Sequence, residues 1–199
     1  MLHDRREFLA LLGSLCATPA LAQTPSATGA PAPSPEMSRP TAYAFSFKRL
    51  DGSSLRLAEH AGKPILVVNT ASLCGYTPQY DGLQKLWTRF RDQGLLVIGV
   101  PSNDFGSQEP GGAAEIDHTA HQKYGVTFPL AEKVTVKGAA AHPFYRWAAG
   151  EKIADLPRWN FHKYLVGRNG HITAAFSSEI EPLDARIVAA VAKELRPAS

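Results

Sequence analysis

Apolar and polar residues alternate over residues 43–47 (YAFSF), pause at Asp51-Gly52, and alternate again over residues 53–57 (SSLRL). Alternation with period two marks a strand with one buried face, and Asp-Gly marks a tight turn, so a β-hairpin is expected to open the fold. The run PILVVN at 64–69 does not alternate; its continuous aliphatic character predicts a strand buried on both faces. Behind it, Tyr80, Leu83, Leu86, Trp87 and Phe90 recur at helical spacing. Thr77 and Pro78 suit the N-cap and first position of that helix, and Gly94 suits its end. Residues 95–100 (LLVIGV) read as a second fully buried strand, and residues 113–124 have helical character up to Gly125. Two more strands, 161–166 and 171–176, flank Asn169-Gly170, a pair that favours a type I′ turn. An amphipathic helix over 183–195 closes the pattern.

Strand, helix, strand, helix, hairpin and final helix describe one α/β domain over residues 41–199, with a central mixed β-sheet flanked by helices. The βαβ unit at 64–100 requires a right-handed crossover. This order suits a thioredoxin-like fold carrying an extra N-terminal β-hairpin. No internal repeats occur.

The first residues change the picture of where the domain works. DRREFL at 4–9 is a twin-arginine pattern, followed by an apolar run at 9–15 and by ALA at 20–22. Charge, apolar run and small-residue cleavage site in that order predict a Tat-type signal peptide over residues 1–22 and a periplasmic protein. Leu15 stands where a lipoprotein signal would have a small residue, so Cys16 is expected to be lost on cleavage. Residues 23–40, rich in Pro, Ala, Ser and Thr, read as a flexible linker. Net charge is +3 with no cluster of basic residues, which argues against a nucleic-acid partner. No other apolar stretch is long enough to span a bilayer.

Without the signal, one cysteine is left. Cys74 lies between the first buried strand and the first turn of a helix, where unpaired backbone N–H groups and the helix dipole favour a thiolate. It has no partner in its own chain for a stable disulfide, so its redox chemistry must borrow a second thiol from outside. Taken singly, a free cysteine is often a small buried hydrophobe, a tryptophan often packs, and Gln108 or Asn160 often form turns.

Three segments change that balance: NTASLCGYTPQY at 69–80, PSNDFGSQEPG at 101–111 and WNFHKYLV at 159–166. In this order they resemble the glutathione peroxidase family, over essentially the whole span from Tyr43 to Leu195. The family's four catalytic positions match Cys74, Gln108, Trp159 and Asn160. The resemblance implies a thiol-dependent peroxidase that reduces hydrogen peroxide and organic or lipid hydroperoxides through a cysteine sulfenic acid. An external thiol, glutathione or another low-molecular-weight or protein thiol, would regenerate it, with no bound cofactor and no metal. Neutral donors from Gln108, Trp159 and Asn160 would stabilise the thiolate without a salt bridge that blunts its attack.

The chain departs from the family's pattern in ways that bear on the reductant. His121 stands near the resolving cysteine of thioredoxin-dependent members, and Ser102 where members commonly have another cysteine. A one-cysteine cycle with a small thiol is therefore favoured over thioredoxin. Asp104 replaces a glutamine and is expected to add a negative charge beside the site, which disfavours a thiolate. The short stretch 137–158 lacks the loop of tetrameric members, which implies a monomer with a shallow thiol open to bulky peroxides.

Two readings from other classes share the same residues. An exported peroxide sensor would pass oxidation from Cys74 to a partner protein by a mixed disulfide. A copper-delivery module of the same fold would show Cys-x-x-x-Cys, where here Pro78 takes the second place. His118 and His121 are three residues apart without a third metal ligand in register, so the histidines are expected to be solvated or bonded locally.

Overall fold

The computed structural model describes residues 39–151 and 156–196. The signal and nearly all of the linker lie outside the described residues.

The opening hairpin pairs β1 (Ser46–Lys48) with β2 (Ser54–Arg56) in antiparallel register, Phe47 opposite Leu55. It is shorter than its alternation suggested, because Ala42–Ala44 fold into a 3₁₀ turn. At the tip, Asp51 accepts hydrogen bonds from the backbone N–H and hydroxyl of Ser53, the local turn chemistry of an Asp.

The second sheet has the order β4-β3-β5-β6, with β3 at Ile65–Thr70, β4 at Leu96–Pro101, β5 at Lys163–Val166 and β6 at Ile172–Phe176. β3 runs parallel to β4 and antiparallel to β5, and β5 runs antiparallel to β6. The mixed sheet predicted from element order is thus present. Every residue of β3, β4 and β5 is buried, as the unbroken apolar runs of β3 and β4 predicted; β5 also buries the charged Lys163. Side chains alternate between two cores. Ile65, Val67, Tyr164 and Val166 pack with the hairpin and with α3 (Pro143–Glu151). Leu66, Val68 and Leu165 pack with α1 (Gln79–Phe90) and α4 (Ala185–Leu195). The α3 helix was not foreseen; its Phe144 and Tyr145 carry the aromatic contacts of the first core.

Two local expectations are corrected. Asn169 does not adopt a left-handed φ, so the β5–β6 turn is not type I′. Gly170 alone is left-handed at φ +80, with Gly170 N–H bonded to Gly167 O and Gly167 N–H to His171 O. That is a type I turn closed by a glycine bulge, and it explains the register irregularity between Leu165 and Val166. Thr77 does not cap α1, which begins at Gln79 behind Pro78; its hydroxyl serves the loop below. The segment expected to be helical over 113–124 is α2 (Ala113–Asp117) continued by a π turn at His118–Lys123, ending at left-handed Gly125.

The histidines find local partners. His121 pairs with Asp117 at 2.6 Å, His118 contacts Gln122, and His171 pairs with Glu151 at 2.8 Å. Among the described residues no group of three or more His, Cys, Asp or Glu is placed to hold a metal ion, and no helix is long and apolar enough to cross a membrane.

Candidate active site

The carboxyl end of β3 gathers the three sequence segments. Asn69, the last but one residue of β3, is tied to the 159–162 turn by three hydrogen bonds: its side-chain amide donates to Trp159 O at 3.0 Å, its carbonyl accepts from Phe161 N, and its N–H donates to His162 O at 3.2 Å. The loop after β4 joins from the other side, where Leu73 N–H donates to Gln108 O at 3.0 Å and Ser72 Oγ to Glu109 Oε2 at 3.1 Å. Cys74, Gln108, Trp159 and Asn160 therefore come from loops stitched to one another, although 86 positions separate the first from the last.

The Cys74 loop is shaped by its own side chains. Thr77 Oγ1 accepts from Cys74 N at 3.0 Å and lies within hydrogen-bond distance of both Ala71 O and Cys74 O, which closes the loop into a tight turn. Thr77 is buried, so this hydroxyl is fixed by packing. The turn leaves Tyr76 N–H facing the sulfur at 3.4 Å, a backbone donor at the entry to α1. Cys74 is a free thiol, buried with 7 % of its surface exposed.

Asn160 is fully buried, and its Nδ2 donates to Gln108 Oε1 at 2.9 Å and points toward Phe105 O at 3.4 Å. The carbonyl of Phe105 fixes which end of the Asn160 amide carries the hydrogens. Gln108 must then meet Asn160 with its oxygen, which turns the Gln108 –NH₂ outward as a donor. Among the described residues the sulfur receives its hydrogen bond from Tyr76 N, not from Asn160; Asn160 aims Gln108. Trp159 is 38 % exposed, its indole lies over Gly106 and against Phe105, and its Nε1–H has no acceptor among the described residues. Gly106 is left-handed at φ +63, and a Cβ there would come within 3.3 Å of the indole, so glycine is needed for that approach.

Backbone strain concentrates here. Among the described residues the non-glycine positions with left-handed φ are Ser107 at +51 and Phe161 at +65. They adjoin Gln108 and Asn160, the two residues that meet. Strained conformations persist only where surrounding bonds over-determine them, and such bonds are present on both sides.

Tyr76, whose N–H faces the sulfur, helps line an open cavity of about 630 Å³ with Leu156, Arg158, Trp159, His162 and Glu179. Leu156 and Trp159, two of the few large apolar side chains left exposed, line this cavity, and Leu73, also exposed, is the chain neighbour of Cys74. Asp104 does not lie open beside the site as a free charge: its carboxylate accepts from Val136 N at 2.6 Å and Lys137 N at 3.2 Å. Ser102 is fully buried, and its hydroxyl accepts from Asp104 N. Sequence reasoning missed Tyr76, whose contribution is a backbone N–H and leaves no side-chain signal. It also missed Glu109, a buried carboxyl whose pKa burial pushes up; its place beside Gln108 in the QEPG run was the available clue.

The mixed sheet flanked by helices is a thioredoxin-like fold, and solved structures share it. A thioredoxin-family thiol:disulfide interchange protein from Chlorobium tepidum shares the fold at TM-score 0.59 and 16 % identity, covering 76 % of this chain and 93 % of that one. The crystal structure described as Trgpx in apo form matches at TM-score 0.66 and 31 % identity, over 81 % of this chain and all of that one. The family described as "Glutathione peroxidase" matches residues 42–149. "Hydroperoxy fatty acid reductase gpx1" of Synechocystis is 48 % identical over 151 residues, 71 % of this chain and 89 % of that protein. "Glutathione peroxidase-like peroxiredoxin GPX5" of Chlamydomonas reinhardtii is 40 % identical over 149 residues, 73 % of this chain and 92 % of that protein. The chain belongs to the glutathione peroxidase family. It is an enzyme of the thiol-dependent peroxidase type.

Proposed function

We propose that Cys74 is the peroxide-reacting nucleophile, with Gln108, Trp159 and Asn160 as its catalytic partners, and that hydrogen peroxide and fatty-acid or other lipid hydroperoxides are the substrates. The observation that supports this reading is the stitching of the three loops at the end of β3, which joins the segments carrying Cys74, Gln108 and Trp159-Asn160. The Cys74 thiolate attacks the terminal peroxide oxygen, the O–O bond breaks, and the departing oxygen leaves as water or alcohol after taking a proton. The outward –NH₂ of Gln108 and the indole N–H of Trp159 are donors for charge developing on the oxygens, which is worth most when the donors are fixed beforehand.

The product is a sulfenic acid on Cys74. One external thiolate attacks that sulfur and releases water as a mixed disulfide forms; a second thiolate attacks the mixed disulfide, leaves as the external disulfide, and restores Cys74. With no second cysteine after the signal, both equivalents come from outside. Arg158 and Glu179 on the cavity wall offer opposite charges to a zwitterionic low-molecular-weight thiol such as glutathione. The exposed Leu73, Leu156 and Trp159 favour long-chain hydroperoxides, in keeping with the Synechocystis relative's printed name. The twin-arginine pattern supports export to the periplasm, and the short 137–158 stretch supports a monomer.

The decisive experiment compares the parent with Cys74→Ser for consumption of hydrogen peroxide and of a fatty-acid hydroperoxide, with glutathione, a thioredoxin system and free cysteine as reductants. The expected result is full loss with serine and turnover with glutathione in the parent. Retained activity in Cys74→Ser would refute the nucleophile, and turnover with thioredoxin alone would refute the small-thiol cycle.

A further inference from the structure

A lysine that the peroxide chemistry does not use sits at the centre of the site's framework. Lys163 in β5 has no exposed surface, and its Nζ donates three hydrogen bonds, each of 2.7 Å, to Gln79 Oε1, Phe161 O and Ile180 O. An ammonium has three donors, so all are used. Each acceptor belongs to a segment that shapes the site. Gln79 begins α1, and its N–H bonds to Tyr76 O, closing the turn that presents Tyr76 N–H to the sulfur. Phe161 is the left-handed residue that follows Trp159-Asn160. Ile180 lies in the segment that also carries the cavity-lining Ser177, Ser178 and Glu179. Gln79 extends the strut, donating to Ser178 O at 2.7 Å and to Glu181 Oε1 at 3.3 Å.

We infer that Lys163 is a positioning residue for the Cys74 reaction: its ammonium clamps the carbonyl of Phe161 and the side chain of Gln79, and so aims Trp159-Asn160 and the entry to α1 at the thiol. The inference rests on the peroxidase reading of Cys74. The clamp depends on charge, because a neutral amine has two N–H donors and a lone pair facing three oxygens. Burial lowers the Lys163 pKa to about 8, while Glu181 and Glu179 oppose the shift. These two carboxylates are the charges that act on it; α1 brings the neutral Gln79, and the 159–161 turn brings a carbonyl.

The test is the single-turnover rate of Cys74 oxidation by hydrogen peroxide from about pH 6 to about pH 10, measured on the parent, Lys163→Met and Gln79→Glu. In the parent the rate is expected to fall about tenfold above about pH 8 as the clamp loses its proton. Lys163→Met, with folding checked by circular dichroism, should be slower by about ten- to a hundredfold at neutral pH and lack the alkaline fall. Gln79→Glu gives up the bonds to Ser178 O and Glu181 Oε1 but keeps the acceptor for Lys163 and adds a negative charge beside the ammonium, so the fall should move to higher pH. If Lys163→Met does not fold, the Gln79→Glu profile decides. A folded Lys163→Met as fast as the parent, or an alkaline fall unmoved in Gln79→Glu, overturns the clamp while leaving the Cys74 reading intact. A parent that never reacts with peroxide overturns both.

Discussion

Asn160 and Gln108 meet amide to amide at 2.9 Å across 52 positions of sequence, and the bond fixes which end of the Gln108 amide points at Asn160. Asn160 is fully buried and Gln108 is not, so in the proposed reaction the buried amide would be the support and the outer one the donor. Asn160→Asp puts a carboxylate oxygen in place of Nδ2 against Gln108 Oε1 and Phe105 O, three oxygens with no proton between them. Its rate of Cys74 oxidation should fall about a hundredfold, the scale of one misplaced donor, roughly 3 kcal/mol. Stopped-flow oxidation under single turnover reads this directly, and a variant as fast as the parent would show that Gln108 needs no such support.

Trp159→Phe keeps the ring over Gly106 and removes the N–H. Peroxide attack should slow by about ten- to a thousandfold with little change in melting temperature, because the lost group makes no hydrogen bond among the described residues. An unchanged rate would leave the indole as packing only.

Ser107 is exposed and left-handed at φ +51. Ser107→Gly removes the steric cost of that conformation and should stabilise the fold by about 0.5–1 kcal/mol in denaturant unfolding, after allowance for the freer unfolded chain. The peroxide rate should drop severalfold, since Gln108 then hangs from a looser hinge. A variant both less stable and equally fast would remove the case for stored strain.

Lys163 also gives stability a pH dependence of definite sign. The unfolded lysine keeps its proton to about 10.5, while the buried one releases it near about 8. Between these values the unfolded chain binds more protons, so raising pH favours the folded state. Relative to Lys163→Met, the parent should gain on the order of 2 kcal/mol from about pH 8 to about pH 10. Above that range Tyr80 and Tyr145 act the other way, because burial raises their pKa values and the unfolded chain ionises first. Stability rising where activity falls would be hard to reconcile with a lysine that merely holds the core together; parallel curves would count against the clamp.

Leu73, the chain neighbour of Cys74, and Leu156, on the cavity wall, stand exposed. Replacing either with serine should raise KM for a fatty-acid hydroperoxide about fivefold, near 1 kcal/mol of partial apolar burial, and leave the reaction with hydrogen peroxide unchanged. Equal effects on both peroxides would mean that the leucines touch no substrate chain.

The apolar pattern by itself determined the main strands, α1, α4 and the layered α/β plan, because burial on one face or two leaves period-two or unbroken runs that any reader of the chain can find. The motifs around Cys74, Gln108, Trp159 and Asn160 likewise picked out three segments that the fold joins at the end of β3. What the tertiary structure decided were relationships set by bonds between distant segments. Thr77, in place to cap a helix, instead folds the cysteine loop. Asp104 spends its charge on two backbone amides. Asn160 points at Gln108 rather than at the sulfur, whose hydrogen bond comes from Tyr76 N–H, a backbone group identical in every non-proline residue. Sequence records which side chains are available; the direction in which each donor points follows from the backbone conformation around it, and that is fixed only when the three loops close on the end of β3.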